Sequence, residues 1–230
     1  MPNIYASTED GYITKSGLTN WANTRDASTG TSVNTTATNY MFAVNLLGAA
    51  GRGGGQGPYT IHRSFFAFDT SGISVTPASA TLKLRGVSLN SADIIAVKAT
   101  FSTAFSPHLT TGQFDAVDFS TPFSSQISTW STSGYNDIAL NSDALAMMRD
   151  EDDLKIAIVE HDHDFSNVDP GTSTTLRTGF YFANYTGTSR DPVVEYSVGY
   201  GNAVMGVASA NIGKVNNVAT ANLGKVIGVD

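Results

Sequence analysis

A-T-L-K-L-R-G-V, residues 80–87, decides the fold: an extended chain puts Ala80, Leu82 and Leu84 on one face and Thr81, Lys83 and Arg85 on the other. That period of two belongs to a strand with one apolar and one wetter face. Y-T-I-H-R-S-F-F-A-F at 59–68 is a second strong strand signal, and 94–101, 154–160, 180–183 and 193–198 continue the series, with Leu154, Ile156 and Ile158 on one face. Gly, Pro, Asn and Asp gather between these runs, at 51–58, 106–111, 167–171 and 186–192, and mark turns and loops. One short helix is expected in the body. Ser142 is its predicted N-cap, Ala144, Leu145, Met147 and Met148 form its apolar stripe, and the acidic run at 150–153 ends it. Strands with one short helix and no βα alternation predict an all-β fold: an antiparallel two-sheet β-sandwich of jelly-roll type over residues 1–199.

Residues 200–230 read differently. V-A-S-A-N-I-G-K-V at 207–215 returns as V-A-T-A-N-L-G-K-V at 218–226, an internal repeat with an offset of eleven residues. Ala208, Ile212, Val215, Ala219, Leu223 and Val226 are spaced 4, 3, 4, 4, 3, which suits helical turns. Gly213, Gly224 and Asn216-Asn217 oppose a continuous helix, so small β-solenoid rungs stand as the alternative. A repeat this short cannot bury a core alone. The tail is therefore expected to work in assembly or anchoring, through Val207, Ile212, Val215, Val218, Leu223 and Val226, in a homo-oligomer or on a scaffold.

Of the 230 residues, 41% are apolar, enough for a core, while only 14% are charged. Ser, Thr, Asn and Gly replace charge on the surface, a composition common in extracellular and virion proteins. A formal charge of −7 argues against a nucleic-acid partner, which requires clustered Lys and Arg to displace counterions. Cysteine is absent, which excludes disulfides and thiolate metal sites. No signal peptide and no apolar run of membrane-spanning length is visible, so no membrane partner is expected. A surface-like composition without an export signal has two simple explanations, a signal that has been removed or release by cell lysis, and Met1 favours the second, the route of phage structural proteins.

Chemistry has few candidates. The Gly-rich stretch at 48–57 lacks the G-K-[ST] of a phosphate loop and reads as a surface loop. Glu160-His161-Asp162-His163-Asp164 is the densest polar cluster, and Asp162, Asp164 and Asp169 with loop carbonyls form an oxygen set suited to Ca²⁺, the one cofactor suggested. If the strand at 154–160 continued, His161 and His163 would face away from Asp162 and Asp164, so a mixed site needs a turn there. A polar strand end held by internal hydrogen bonds is the competing reading. No G-x-S-x-G turn is present, and Asp115, Asp118, Glu160 and Asp162 are not set apart as a carboxylate pair, so no catalytic residue is expected. Trp21, Trp130, Tyr135, Tyr181, Tyr185 and Tyr200 offer flat faces to sugar rings. Trp130, Tyr135 and Tyr185 are the candidate glycan contacts, to a cell-surface polysaccharide. For Trp21 and Trp130 the stronger reading is as core or loop anchors, because aromatics are buried more often than displayed.

D-G-Y-I at 10–13, W-A-N-T-R-D-A at 21–27, H-R-S-F-F-A-F-D-T-S-G-I at 62–73 and A-S-A-T-L-K-L at 78–84 together resemble the jelly-roll domain of secreted bacterial proteins named for its D-N-R-L-R-E motif, a relative of carbohydrate-binding modules. Y-N-D-I-A-L-N at 135–141, E-H-D-H-D-F-S-N-V-D-P at 160–170 and N-Y-T-G-T-S-R-D-P at 184–192 resemble the version found in structural and tail-associated proteins of aquatic bacteriophages, where A-N-I-x-K-V repeats often follow the sandwich. The resemblance implies a β-sandwich on a virion or cell surface and carries no catalytic residues. It makes a non-enzymatic virion protein, in a head decoration, fibre or tail appendage, the first expectation, with other virion proteins as partners. A carbohydrate-binding module of a secreted protein and a subunit of a bacterial surface filament are the alternatives. Within the matched stretches, Arg63 is expected to lay its stem on apolar surface and pair a carboxylate such as Asp69.

Overall fold

The computed structural model describes residues 1–36, 44–50, 56–90, 92–101, 109–171, 174–198, 214–215 and 218–219. Its strands, all paired antiparallel, are β1 (Asn3–Tyr5), β2 (Gly11–Leu18), β3 (Ser32–Asn34), β4 (Val44–Ala50), β5 (Gln56–Asp69), β6 (Pro77–Asn90), β7 (Ile94–Ala99), β8 (Val117–Pro122), β9 (Tyr135–Ala139), β10 (Asp153–Glu160), β11 (Thr174–Phe180), β12 (Val193–Val198), β13 (Lys214–Val215) and β14 (Val218–Ala219). They form an all-β sandwich. One sheet runs β1-β12-β6-β9. The other runs β3-β2-β5-β10-β7-β8. β4 lies beside the first half of β5, β11 beside β4, and β11 also pairs with the far end of β6, so this long strand joins the two sheets.

The alternation expected at 80–85 holds: Ala80, Leu82 and Leu84 are buried, while Thr81, Lys83 and Arg85 are half-buried. Central strands obey a second rule. β10 is buried along both faces, because Leu154, Ile156 and Ile158 enter the core between the sheets while Ala157 and Val159 enter a second core on the other side. β5 divides likewise, with Phe66 and Phe68 in the first core and Tyr59, Ile61, Phe65 and Ala67 in the second. Trp21, Leu109, Phe114 and Val117 cover that second core. Each fully buried Phe stabilises the fold by about 1.5–3 kcal/mol relative to exposure.

Helical content exceeds the single helix expected. α1 (Trp21–Arg25) is a five-residue helix capped by Asn20, whose side chain accepts from Asn23 N at 2.9 Å. It brings Trp21 and Arg25 onto the second core, and its few residues leave little periodicity to read. α2 (Ser142–Asp150) is the predicted helix, but Asn141 is its N-cap, with Oδ1 accepting from Asp143 N and Ala144 N, so Ser142 is the first helical residue. A 3-10 turn (Thr111–Gln113) and a π-helical turn (His161–Phe165) complete the set. Two strand boundaries also move. Pro58 lies inside β5 at an irregularity in its pairing with β4, where a missing N–H is tolerated. β11 covers Thr174–Phe180 and leaves 181–183 outside any strand.

β12 ends at Val198. In the tail, Lys214 pairs with Ala219 and Val215 with Val218, so these four residues are extended where helical turns had been the first choice. Val207, Ile212, Leu223 and Val226 lie outside the described residues. No helix among the described residues is long and apolar enough to cross a membrane.

Candidate functional site

The acidic cluster at 160–164 is turned inward by its own first residue. β10 stops at Glu160, whose buried carboxylate accepts from the main-chain N–H of Asp162, His163 and Asp164 at 3.0, 2.8 and 3.0 Å. Burial pushes the Glu160 carboxyl up, and the three N–H bonds oppose that shift. The π-turn thus started swings Asp164 into the second core, where Arg63 meets it with two hydrogen bonds, Nε to Oδ2 at 2.8 Å and Nη2 to Oδ1 at 2.7 Å. Arg63 therefore pairs with Asp164 and not Asp69: Arg63 and Asp69 both lie on β5, but six residues of extended chain hold them about 20 Å apart. Asp69 accepts instead from Ser71 N and Oγ, which hold its carboxyl below the usual range.

The three carboxylates considered for Ca²⁺ take separate partners. Asp164 is held by Arg63. Asp162 Oδ1 accepts from Gln126 Nε2 at 3.1 Å and lies 2.8 Å from His161 Nδ1. Asp169 Oδ1 accepts from Tyr59 Oη at 2.7 Å and from Gly171 N at 2.8 Å. Burial, then the bond to Asp169, pushes the Tyr59 phenol up to about 12. Among the described residues no group of three or more metal-ligating side chains converges.

The glycan candidates divide by direction. Trp130 packs on the first core against Phe180, ring centroids 6.1 Å apart, and its Nε1 donates to Gly179 O at 3.3 Å. Trp130 is half-buried, whereas Trp21 is buried, edge-on to Tyr59, with Nε1 donating to Asn167 Oδ1 at 3.2 Å. Tyr135 and Tyr185 are half-buried, and each contacts the 181–192 segment separately. Tyr135 Oη donates to Asp191 O at 3.1 Å, while Tyr185 lies edge-on to Tyr181 with centroids 5.0 Å apart. Between these two rings sits Arg190, its guanidinium carbon 4.8 Å from the Tyr181 centroid and 4.5 Å from that of Tyr185. Arg190 Nη1 donates to Tyr181 Oη at 2.6 Å. Cation–π contact of this kind fixes a long side chain in place and leaves planar polar groups at the surface. Arg190 was visible only as part of a turn, T-G-T-S-R-D-P, and nothing in sequence spacing pairs it with Tyr181, nine residues earlier.

A groove of about 520 Å³ beside β2 and β3 contains one imidazole, His62, stacked on the Tyr12 phenol at 5.4 Å. Its described lining has no carboxylate to form an acid–base pair with that ring.

Comparison with protein-family models and with curated proteins returns no match. The class that the structure defines is an antiparallel all-β sandwich with an aromatic–guanidinium patch on the segment entering its last body strand.

Proposed function

We propose that this chain is a non-enzymatic structural protein of a bacteriophage particle, a sandwich displayed outward as a head decoration, fibre or tail appendage and held in many copies by its C-terminal repeat. The observation that carries the reading is the repeated V-A-x-A-N-[IL]-G-K-V placed soon after the end of β12. Low surface charge and the resemblance to tail-associated phage domains support it. The polar clusters agree with it, since Glu160, Asp164 and Arg63 spend their hydrogen bonds on holding the fold. Deleting residues 201–230 tests the proposal: light scattering is expected to show a folded monomer where the full chain assembles, and unchanged assembly overturns it.

A second reading, glycan adhesion in the manner of a carbohydrate-binding module, is favoured by the Tyr181–Arg190–Tyr185 stack. Weak adhesion by single copies gains strength through multivalent display. On a glycan array, Tyr185→Ala and Arg190→Ala are expected to lose binding without a change in melting temperature. A truncated monomer that binds one defined polysaccharide, from a full chain that never oligomerises, favours the module over the virion protein.

A further inference from the structure

Two carboxylates stand apart from every network described above. Asp10, just before β2, is fully buried; its Oδ2 accepts from Ala183 N at 3.0 Å and its Oδ1 has no hydrogen-bond partner. Asp191, just before β12, is 7% exposed, and its Oδ1 also has no partner. Neither is in an ion pair with a described residue. Their segments are neighbours: Ala6 N donates to Pro192 O at 2.9 Å, Asp10 N donates to Ser7 O at 3.1 Å, and Asp10 Oδ2 takes its one bond from Ala183, in the segment that leads to Asp191. Arg190, the nearest cation in sequence, is turned away onto Tyr181 and Tyr185.

Leaving a buried carboxylate oxygen without a donor is expensive, and two on neighbouring segments more so. A single proton neutralises one of them; a divalent cation neutralises both and takes oxygen ligands only, as carboxylates and main-chain carbonyls supply. We propose that Asp10 and Asp191 are ligands of one hard divalent cation of the Ca²⁺ class, which ties the segment before β2 to the segment before β12. Main-chain carbonyls and water would complete its coordination. The cation would brace the 181–192 segment that carries Tyr181, Tyr185 and Arg190. Burial holds the Asp10 carboxyl well above its usual range and raises that of Asp191.

The test uses the full chain, stripped with a chelator and titrated with Ca²⁺ at pH 7. The melting temperature is expected to rise by about 5–10 °C at a hundredfold excess over Kd. The rise should shrink at pH 4.5, where protons compete, be lost in Asp10→Asn and persist in Asp162→Asn. Tb³⁺ used as a Ca²⁺ analogue should show emission sensitised by tyrosine in the native chain and tenfold less in Asp191→Asn, a readout that stands if Asp10→Asn fails to fold. A native chain that ignores both ions overturns the proposal, and if its stability still depends on pH the pair shares a proton instead. An equal Ca²⁺ response in native and Asp10→Asn proteins also overturns it.

Discussion

Arg63 and Asp164 face each other inside the second core with both side chains fully shielded from water, and the guanidinium also donates to the main-chain oxygens of Phe114 and Arg25. Its carbon lies 4.2 Å from the Phe114 ring centroid. One residue of β5 thereby ties together the π-turn, α1 and the 114–119 segment. Removing one partner leaves an uncompensated buried charge, so Arg63→Met and Asp164→Leu should each cost about 3–5 kcal/mol in urea unfolding. The double variant should cost less than the sum of the two, because it buries no lone charge.

That pair also shows where sequence reading stops. The strands were legible because burial imposes a period of two, and β12 falls at 193–198 as expected. Arg63 was legible as a residue of such a strand, but its partner lies 101 residues away on a turn created by the Glu160 side chain, a device with no periodicity. α1 escaped for a similar reason: five residues stabilised by packing leave no stripe to count. Trp130, Tyr135 and Tyr185, nominated as flat surface groups, are all half-buried: Tyr135 donates to Asp191 O, Tyr185 stacks on Arg190 and Trp130 packs on the first core. Composition cannot tell a displayed ring from a buried one.

Stability should depend on pH in opposite senses at two carboxylates. The folded pKa of Asp10 is raised, so its contribution favours folding below the unfolded value of about 3.9 and is lost as pH rises through the folded value. In chelator, Asp10→Asn should therefore gain in melting temperature relative to the native chain as pH is raised from 4 toward 7. Asp118 is held low by bonds from Ser120 and Thr121, so its contribution is present above about 3.9 and lost as pH falls through the folded value. Asp118→Asn should then be less stable than the native chain at pH 7 and converge with it in acid. Parallel melts across pH check both signs.

Gly86 is required by its neighbours. A Cβ there would lie 2.0 Å from Ser131 O and 2.8 Å from Trp130 Nε1, and Asn136 holds that loop by accepting from Ser131 N and donating to Ser131 O. The clash is with backbone, which cannot rotate away. Gly86→Ala should cost about 1–3 kcal/mol and change the environment of Trp130, seen as a shifted tryptophan emission in the folded state. Gly72→Ala, where nothing lies within 4 Å, should leave both unchanged.

Asn167 adopts φ 52°, a left-handed conformation that Asn tolerates better than most residues, and its side chain accepts the indole N–H of Trp21. Two variants separate these roles. Asn167→Gly keeps the backbone free to adopt this conformation and loses the hydrogen bond, which should cost about 1 kcal/mol. Asn167→Ala loses the bond and adds a left-handed penalty of about 1–2 kcal/mol, so it should be the less stable of the two in denaturant unfolding followed by tryptophan fluorescence. If the order reverses, the greater unfolded-state entropy of glycine outweighs the strain, and the loop owes its shape to Asp169, which binds Tyr59 and Gly171, more than to Asn167.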